Sequence, residues 1–263
     1  MTFDGKSIVL TGGSGGIGRI VASYLMAKGA KVAVLSRSDD VASGATHIRA
    51  DLSSTGGIAA AQELVTRLAP DILINLAGVQ HFGPFEHQSF ESLHQHYLIN
   101  LIAPVALCQA TVPAMKRRRS GHIVNIGSVF GSIPSAHFAA YSSAKAGLRA
   151  FSESLRRELR DTGIAVTHIS PRAVRTKLVT PTLQRYADLT RMNIDTPTDV
   201  AWQIVRAIER KRKDVHIGFP ERLFAGVNAM LPGLIDAAVA RNDRKARQLF
   251  SNVNQEDKDG LQI

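Results

Sequence analysis

Residues 7–18 read Ser7-Ile8-Val9-Leu10-Thr11-Gly12-Gly13-Ser14-Gly15-Gly16-Ile17-Gly18, and a helical pattern follows at once over Ile17–Lys28. An apolar run that enters a glycine-rich turn and then a helix reads as a strand, turn and helix. Glycines let the backbone turn tightly and approach a pyrophosphate, which the free N–H groups and positive dipole end of the helix attract. The spacing of Gly13, Gly15 and Gly18 is generic, and a glycine turn with no ligand has the same look. Its place between the first strand and the first helix favours a dinucleotide.

Outward from this unit, short apolar runs alternate with helical patterns. Lys31–Leu35, Asp71–Ile74, His122–Ile126 and Ile164–Ile169 read as strands, with Thr46–Arg49 a weaker one between the first two. Gly57–Leu68, Phe90–Lys116, Tyr141–Thr162 and Thr198–Lys211 read as helices. In the helix from Tyr141, Ala144, Leu148, Phe151, Leu155 and Leu159 make one apolar face, and Gly163 stops it. Strands without polar alternation suit a parallel sheet covered on both faces. The fold class predicted is therefore α/β, a doubly wound, Rossmann-type parallel sheet in a single domain over 1–218, with a C-terminal helical extension over 219–263.

A chain of 263 residues, 44% hydrophobic and 21% charged, builds one sizeable core and is not disordered. Cys108 is alone, which excludes an intrachain disulfide framework and points to a reducing compartment. No segment reads as a bilayer span, and Met1–Lys6 lacks a secretory pattern, so a cytoplasmic protein is expected. The net charge of +10 suits nucleic acid, an anionic membrane or phosphate-rich ligands. Its runs Lys116–Arg119 and Arg210–Lys213 each end a helix, where cations complement the dipole, so no nucleic-acid partner is expected. His94 and His96 face different ways, and His81, His87 and His137 are not required for the chemistry below; no metal is expected.

Two constellations carry chemistry. The second strand ends Leu35-Ser36-Arg37-Ser38, where a site that prefers NAD usually places an acid for the ribose hydroxyls. Arg37 offers a permanently charged fork suited to a phosphate, so NADP(H) is expected with Ser36 and Arg37 on the 2′-phosphate; Asp39 keeps NAD(H) open. Tyr141-Ser142-Ser143-Ala144-Lys145 sets a phenol and an ammonium four residues apart on one helix face. The ammonium is expected to favour phenolate, so that the pair exchanges a proton with an alcohol or carbonyl oxygen. Ser128, at the carboxyl end of a strand, is placed to donate to the same oxygen.

With these residues in hand, the sequence resembles a short-chain dehydrogenase/reductase over roughly Lys6–Lys211. The motifs that carry the resemblance are Thr11-Gly12-x-x-x-Gly16-x-Gly18, Asp51-Leu52, Asn75-Leu76-Ala77-Gly78, Asn100, Ser128 and Tyr141-x-x-x-Lys145. It implies a catalytic set of Asn100, Ser128, Tyr141 and Lys145. Tyr141 is the acid/base, Lys145 lowers its pKa and holds the nicotinamide ribose, Ser128 orients the carbonyl, and Asn100 anchors a water. It further implies cofactor contacts from Gly12, Ser14, Gly16, Ile17, Gly18, Asp51, Leu52, Asn75, Ala77, Gly78, Val174 and Thr176, beside Tyr141 and Lys145. The implied activity is an NADP(H)-dependent interconversion of a carbonyl and a secondary alcohol, in a homodimer or homotetramer packed through Phe90–Lys116 and Tyr141–Thr162. Gly147, Ala150 and Ser154 permit close helix approach there, within one chain as well as between chains.

The chain departs from the family pattern in two places. Asn75-Leu76 stands where two asparagines are common, and Arg172 follows Pro171 where glycine is usual. Arg172 is expected to point to solvent, the other reading being a place at the mouth of the site. Lys177–Pro197 is expected to be a long connection covering the substrate, and Leu178, Val179, Leu183, Tyr186, Leu189 and Met192 make it an apolar lid. A hydrophobic or lipid-like substrate follows. Phe219–Met230 and Pro232–Phe250 read as two helices, open to three uses: packing on the protein itself, a subunit interface, or peripheral membrane contact. The last dozen residues are expected to fray. The alternative function, a catalytically silent NADP-binding interaction protein, is disfavoured by the intact set of Asn100, Ser128, Tyr141 and Lys145.

Overall fold

Apolar runs and amphipathic runs alternate along the chain, and the structure, a computed structural model describing residues 2–259, turns them into strands and helices in the order of the sequence. The strands are β1 Ser7–Thr11, β2 Lys31–Ser36, β3 Thr46–Arg49, β4 Ile72–Asn75, β5 Gly121–Ile126, β6 Ile164–Pro171 and β7 Asp214–Ile217. The helices are α1 Gly16–Ala27, α2 Thr55–Leu68, α3 Phe90–Tyr97, α4 Ala103–Arg118, α5 Ala139–Glu158, α6 Pro181–Thr190, α7 Pro197–Glu209, α8 Glu221–Met230 and α9 Pro232–Asp259. All strand pairs are parallel, in the order β3-β2-β1-β4-β5-β6-β7.

Both faces of the sheet are covered, which is why its strands lack polar alternation. On one face Val21, Leu25, Val200, Ile204 and Ile208 of α1 and α7 pack on Ile8, Leu10, Ile72 and Val124. On the other, Val65, Leu107, Met115 and Leu155 of α2, α4 and α5 pack on Val9, Leu73 and Ile123. Cys108 lies in this second core, and burial pushes its thiol up to about 12, so it is inert as a nucleophile near neutrality.

The expected helix Phe90–Lys116 is interrupted. A π-turn over Leu98–Ile102, centred on the buried Asn100, separates α3 from α4. By length and composition the stretch Phe90–Arg118 is long and apolar enough to cross a membrane, contrary to the sequence expectation. Half of its most apolar window is buried in the domain's own packing. The basic run beside it is partly structural, since Arg118 donates to the carbonyls of Ala69, Pro70 and Ser120.

Lys177–Pro197 is not a bare connection. Thr180 and Thr196 cap α6 and α7, each accepting from a backbone N–H of its first turn, and Pro181 and Pro197 occupy the first turns. Past Met230 the break at Leu231-Pro232 falls where expected, but α9 continues beyond Phe250 to Asp259. Residues 260–263 of the end expected to fray lie outside the described residues.

Candidate active site

β1 and β4 are neighbours in the sheet although β2 and β3 come between them in sequence, so the chain leaves their carboxyl ends in opposite directions. A cleft of about 780 Å³ opens there, within the usual range of about 300–1,000 Å³ for ligand sites. Its floor is stitched by Thr11, whose Oγ1 accepts from the N–H groups of Leu76 and Ala77, both at 3.1 Å. Gly12 has φ +72°, and a Cβ there would lie 2.8 Å from the Ala77 Cα. A Cβ at Gly18 would lie 2.3 Å from the Gly12 carbonyl oxygen. α1 begins with no side-chain cap and no acidic residue in its first turn. The cleft is lined by Gly12, Ser14, Gly16, Ile17 and Gly18 from this turn, with Ala77 and Gly78 opposite. Uncapped N–H donors in a concave cradle that a Cβ would fill are what a pyrophosphate requires.

At the far end Arg37 is exposed, with Asp51 and the buried Leu52 beside it. Hydrogen bonds from the Ser53 hydroxyl and N–H hold the Asp51 carboxyl below its ordinary range, the Arg37 charge adding to this. Ser36 lines the cleft, but it is buried and its Oγ donates to the Ser38 carbonyl at 2.6 Å. It shapes the turn that presents Arg37. Arg19 also lines this end, bound to the Asp40 carbonyl and carboxylate. It was not singled out in the sequence, although it directly follows the last glycine of the turn.

The catalytic candidates meet in the middle. Ser128 ends the extension of β5 and caps a 3₁₀ turn over Val129–Gly131, accepting from the Phe130 N–H at 3.2 Å. It hydrogen-bonds Tyr141, from the first turn of α5. Lys145, one turn on, is 4% exposed, donates to the Ile126 carbonyl at 3.0 Å, and stands 5.8 Å from the Tyr141 ring centre. Burial lowers Lys145 to about 8, so it is mostly charged at neutral pH. The expected lowering of Tyr141 is not found: burial raises the phenol, and the opposing influence is the hydrogen bond with Ser128.

Asn75 and Asn100 stand back from this trio. Asn75 is buried, its Nδ2 donating to the Asn125 Oδ1 at 2.8 Å, and it does not line the cleft. Its expected contact with the cofactor is therefore corrected to a link between β4 and β5. Asn100 donates to the Val79 carbonyl at 2.9 Å and accepts from the Val79 N–H at 3.3 Å, holding the chain after β4. A Cβ at Gly78 would lie 3.0 Å from the Asn100 Oδ1 and 3.6 Å from the Lys145 Nζ, so only glycine lets these two groups approach.

The side of the cleft beyond Tyr141 is apolar. Phe130, Phe138, Val179, Leu183 and Met192 line it, and Tyr186, Phe82, Ala246, Leu249 and Phe250 pack around them. Phe82 stacks on Phe138 with ring centres 4.8 Å apart and meets Phe250 at 5.0 Å. α9 is thereby drawn over the chamber, and Lys245 donates to the Leu189 carbonyl of the segment below it. Val174 and Thr176 line the cleft at its base, where a Cβ on Gly16 would come within 3.5 Å of Thr176.

Arg172 overturns its expectation. It does not face solvent: its Nε and Nη2 grip the two oxygens of Asp195 at 2.9 and 2.7 Å, and Nη1 reaches Glu221 at 3.3 Å. Asp195 is also bridged to Val174 through the backbone. Arg172 thus closes the neck of the segment that carries α6 and fastens it to the start of α8. Lengthy sequence separation hid these partners.

A parallel sheet of this order, a glycine cradle at its switch point and a Ser-Tyr-Lys trio beside an apolar chamber define a nucleotide-dependent dehydrogenase. Comparison with known proteins agrees. Residues 6–187 match the short chain dehydrogenase family. Dehydrogenase/reductase SDR family member 7B of Mus musculus is 33% identical, over 91% of this chain and 83% of its own. Ketoacyl reductase HetN of a Nostoc strain is 34% identical over 81% of this chain and 79% of its own. A short-chain dehydrogenase from Sphingobium yanoikuyae, solved with NADPH, superposes with a TM-score of 0.74 at 25% identity, over 88% of this chain and 95% of that one. One from Burkholderia cenocepacia shares the fold with a TM-score of 0.77 at 21% identity, over 91% of this chain and 99% of that one. The chain belongs to the short-chain dehydrogenase/reductase family, and is an oxidoreductase.

Proposed function

We propose that the protein is an NADP(H)-dependent oxidoreductase that interconverts a hydrophobic carbonyl compound and its secondary alcohol, with Tyr141 handling the proton. The observation that carries this reading is the single cleft in which the glycine cradle, the Ser128–Tyr141–Lys145 trio and the apolar chamber follow one another. NADP is favoured over NAD by Arg37, an exposed cation at the end of β2 with Asp51 turned to Ser53. A bound nicotinamide dinucleotide supplies or accepts the hydride.

The chain's own groups manage the rest. The raised Tyr141 phenol stays protonated at neutral pH, so it is ready to donate to the oxygen of a carbonyl under reduction. Ser128 donates to the same oxygen as charge develops. The Lys145 charge, fixed on the Ile126 carbonyl, stabilises the phenolate that remains. Asn100 acts by holding the chain at Val79 against this group. Residues 177–197 are the lid, and the extension from 219 closes the chamber above it. Gly147 is filled within the chain by Leu101, whereas Ala150 and Ser154 leave a smooth exposed strip on α5 on which a homodimer or homotetramer packs.

Steady-state kinetics with NADPH and NADH on a panel of ketones, from short polar ones to long-chain and ring compounds, tests the reading. Higher kcat/KM with NADPH and with the larger apolar ketones is expected. Arg37→Ala is expected to weaken NADPH by at least about tenfold and leave NADH unchanged. An unequivocal NADH preference sinks the cofactor assignment. Turnover of small polar carbonyls alone sinks the substrate assignment, and near-normal turnover of Tyr141→Phe sinks the mechanism.

A further inference from the structure

The corner between α8 and α9 combines low charge with exposure. From Leu223 to Ala240 eighteen residues pass with one ionisable side chain, Asp236. The corner is nevertheless exposed: Phe219, Leu223, Phe224, Met230, Leu231 and Leu234 range from 45% exposure at Phe224 to 80% at Met230. These are not loosely placed side chains. Ala225 and Ile235 are buried on the inner side, and Asn228 donates to the Ser132 carbonyl at 2.9 Å, fixing α8 to the turn after Ser128. Helices anchored on one side and apolar on the other present a patch that water alone does not account for.

Charge tells what covers it. Arg241, Arg244 and Arg247 follow the patch at three-residue intervals along α9 and are all exposed. An apolar surface followed by cations fits a lipid interface, with the apolar groups below the headgroups and the cations among anionic phosphates.

We propose that the α8–α9 corner docks the protein on an anionic lipid bilayer. The corner follows β7 at the carboxyl edge of the sheet, where the cleft opens, and α9 runs from it to the chamber roof at Ala246 and Phe250. Docking therefore brings the substrate chamber to the membrane surface. This site is separate from the catalytic groups, and its test needs neither cofactor nor substrate.

The test is co-sedimentation of the full chain with vesicles of phosphatidylcholine alone, and of phosphatidylcholine with phosphatidylserine at roughly three to one. Binding to the anionic vesicles, weaker in high salt, is expected. Met230→Glu with Leu234→Glu is expected to lower it at least about tenfold, and Arg241→Glu with Arg244→Glu at least about twenty-five-fold, at about fivefold for each cation lost. Both variants should keep the far-UV circular dichroism and the urea midpoint of the wild type, which shows that they are folded and separates this test from that of the proposed reaction. No binding by the wild type, or equal binding by the Met230/Leu234 variant, overturns the proposal. So does a native oligomer that dissociates with the same substitutions in light scattering, because the patch is then covered by a second copy.

Discussion

The two ends of the cleft are built by different means. The cradle below α1 is made of backbone: Gly12 and Gly18 pass their neighbours so closely that a single added carbon collides with main chain. The chamber beyond Tyr141 is made of side chains brought from Phe82, Phe138, α6 and α9, far apart in sequence. A backbone surface admits few changes and suits one kind of ligand. A side-chain surface is redrawn by ordinary substitutions, so the chemistry of the substrate lives there. Of the two departures from the family pattern, Arg172 fastens the second side at Asp195, while Leu76 meets Thr11 beside the cradle.

The largest expected effect strikes the first side. Gly12→Ala places a Cβ 2.8 Å from the Ala77 backbone in a left-handed conformation, and a loss of roughly 3 kcal/mol of stability is expected, together with cofactor affinity. Urea denaturation and fluorescence titration with NADPH measure the two. Tolerance of this substitution would break the contrast outright.

Lys145→Met comes next and separates function from stability. Burial lowers the folded pKa of Lys145 to about 8 from the ordinary 10.5, so the unfolded chain binds the proton more tightly. The charged form therefore costs stability in full below pH 8, and the cost fades as pH rises from 8 to 10.5. Lys145→Met is expected to abolish turnover yet gain on the order of 2 kcal/mol at pH 7, the gain shrinking by pH 10. Denaturation curves at the two pH values check it, and a variant less stable than wild type at pH 7 refutes it.

Smaller effects belong to the chamber. Arg172→Ala leaves Asp195 and Glu221, both about one-fifth exposed, without their cation. A loss of about 1–2 kcal/mol is expected after allowance for solvent screening. The KM for a hydrophobic ketone is expected to rise about tenfold with the KM for NADPH unchanged. Lys at this position should restore part of the stability but not the two-point grip on Asp195. Phe250→Ala is the mildest, a rise of about threefold in ketone KM, since other rings still line the chamber. An effect of either change on NADPH binding would show that the two ends are not independent.

The same contrast explains what the sequence made legible. Glycines at a fixed spacing, Arg37 after β2 and a tyrosine four residues before a lysine are local signs of local geometry. Thr180-Pro181 is equally local, and it begins α6 inside the stretch that reads as a continuous lid, while Thr196-Pro197 begins α7 one residue ahead of the helix that reads from Thr198. Arg172 could not be read this way, because its partners lie 23 and 49 residues along the chain. Asn75 was placed with its motif neighbours, but β4 turns it away from the cleft to Asn125. Lys145 alone predicts a lowered Tyr141, whereas burial raises the phenol and only the hydrogen bond with Ser128 opposes it.

One uninterrupted helix, α9, begins at the apolar corner and passes above the substrate chamber before it ends. Because a helix transmits displacement along its axis, whatever steadies its first turns also steadies Ala246 and Phe250 some 20 Å further on, at about 1.5 Å per residue. Binding linkage is reciprocal, so a substrate that fills the chamber and orders α9 must strengthen the hold of its other end by the same factor. On the docking proposed above, occupancy of the chamber and residence at a surface would be linked through this one helix.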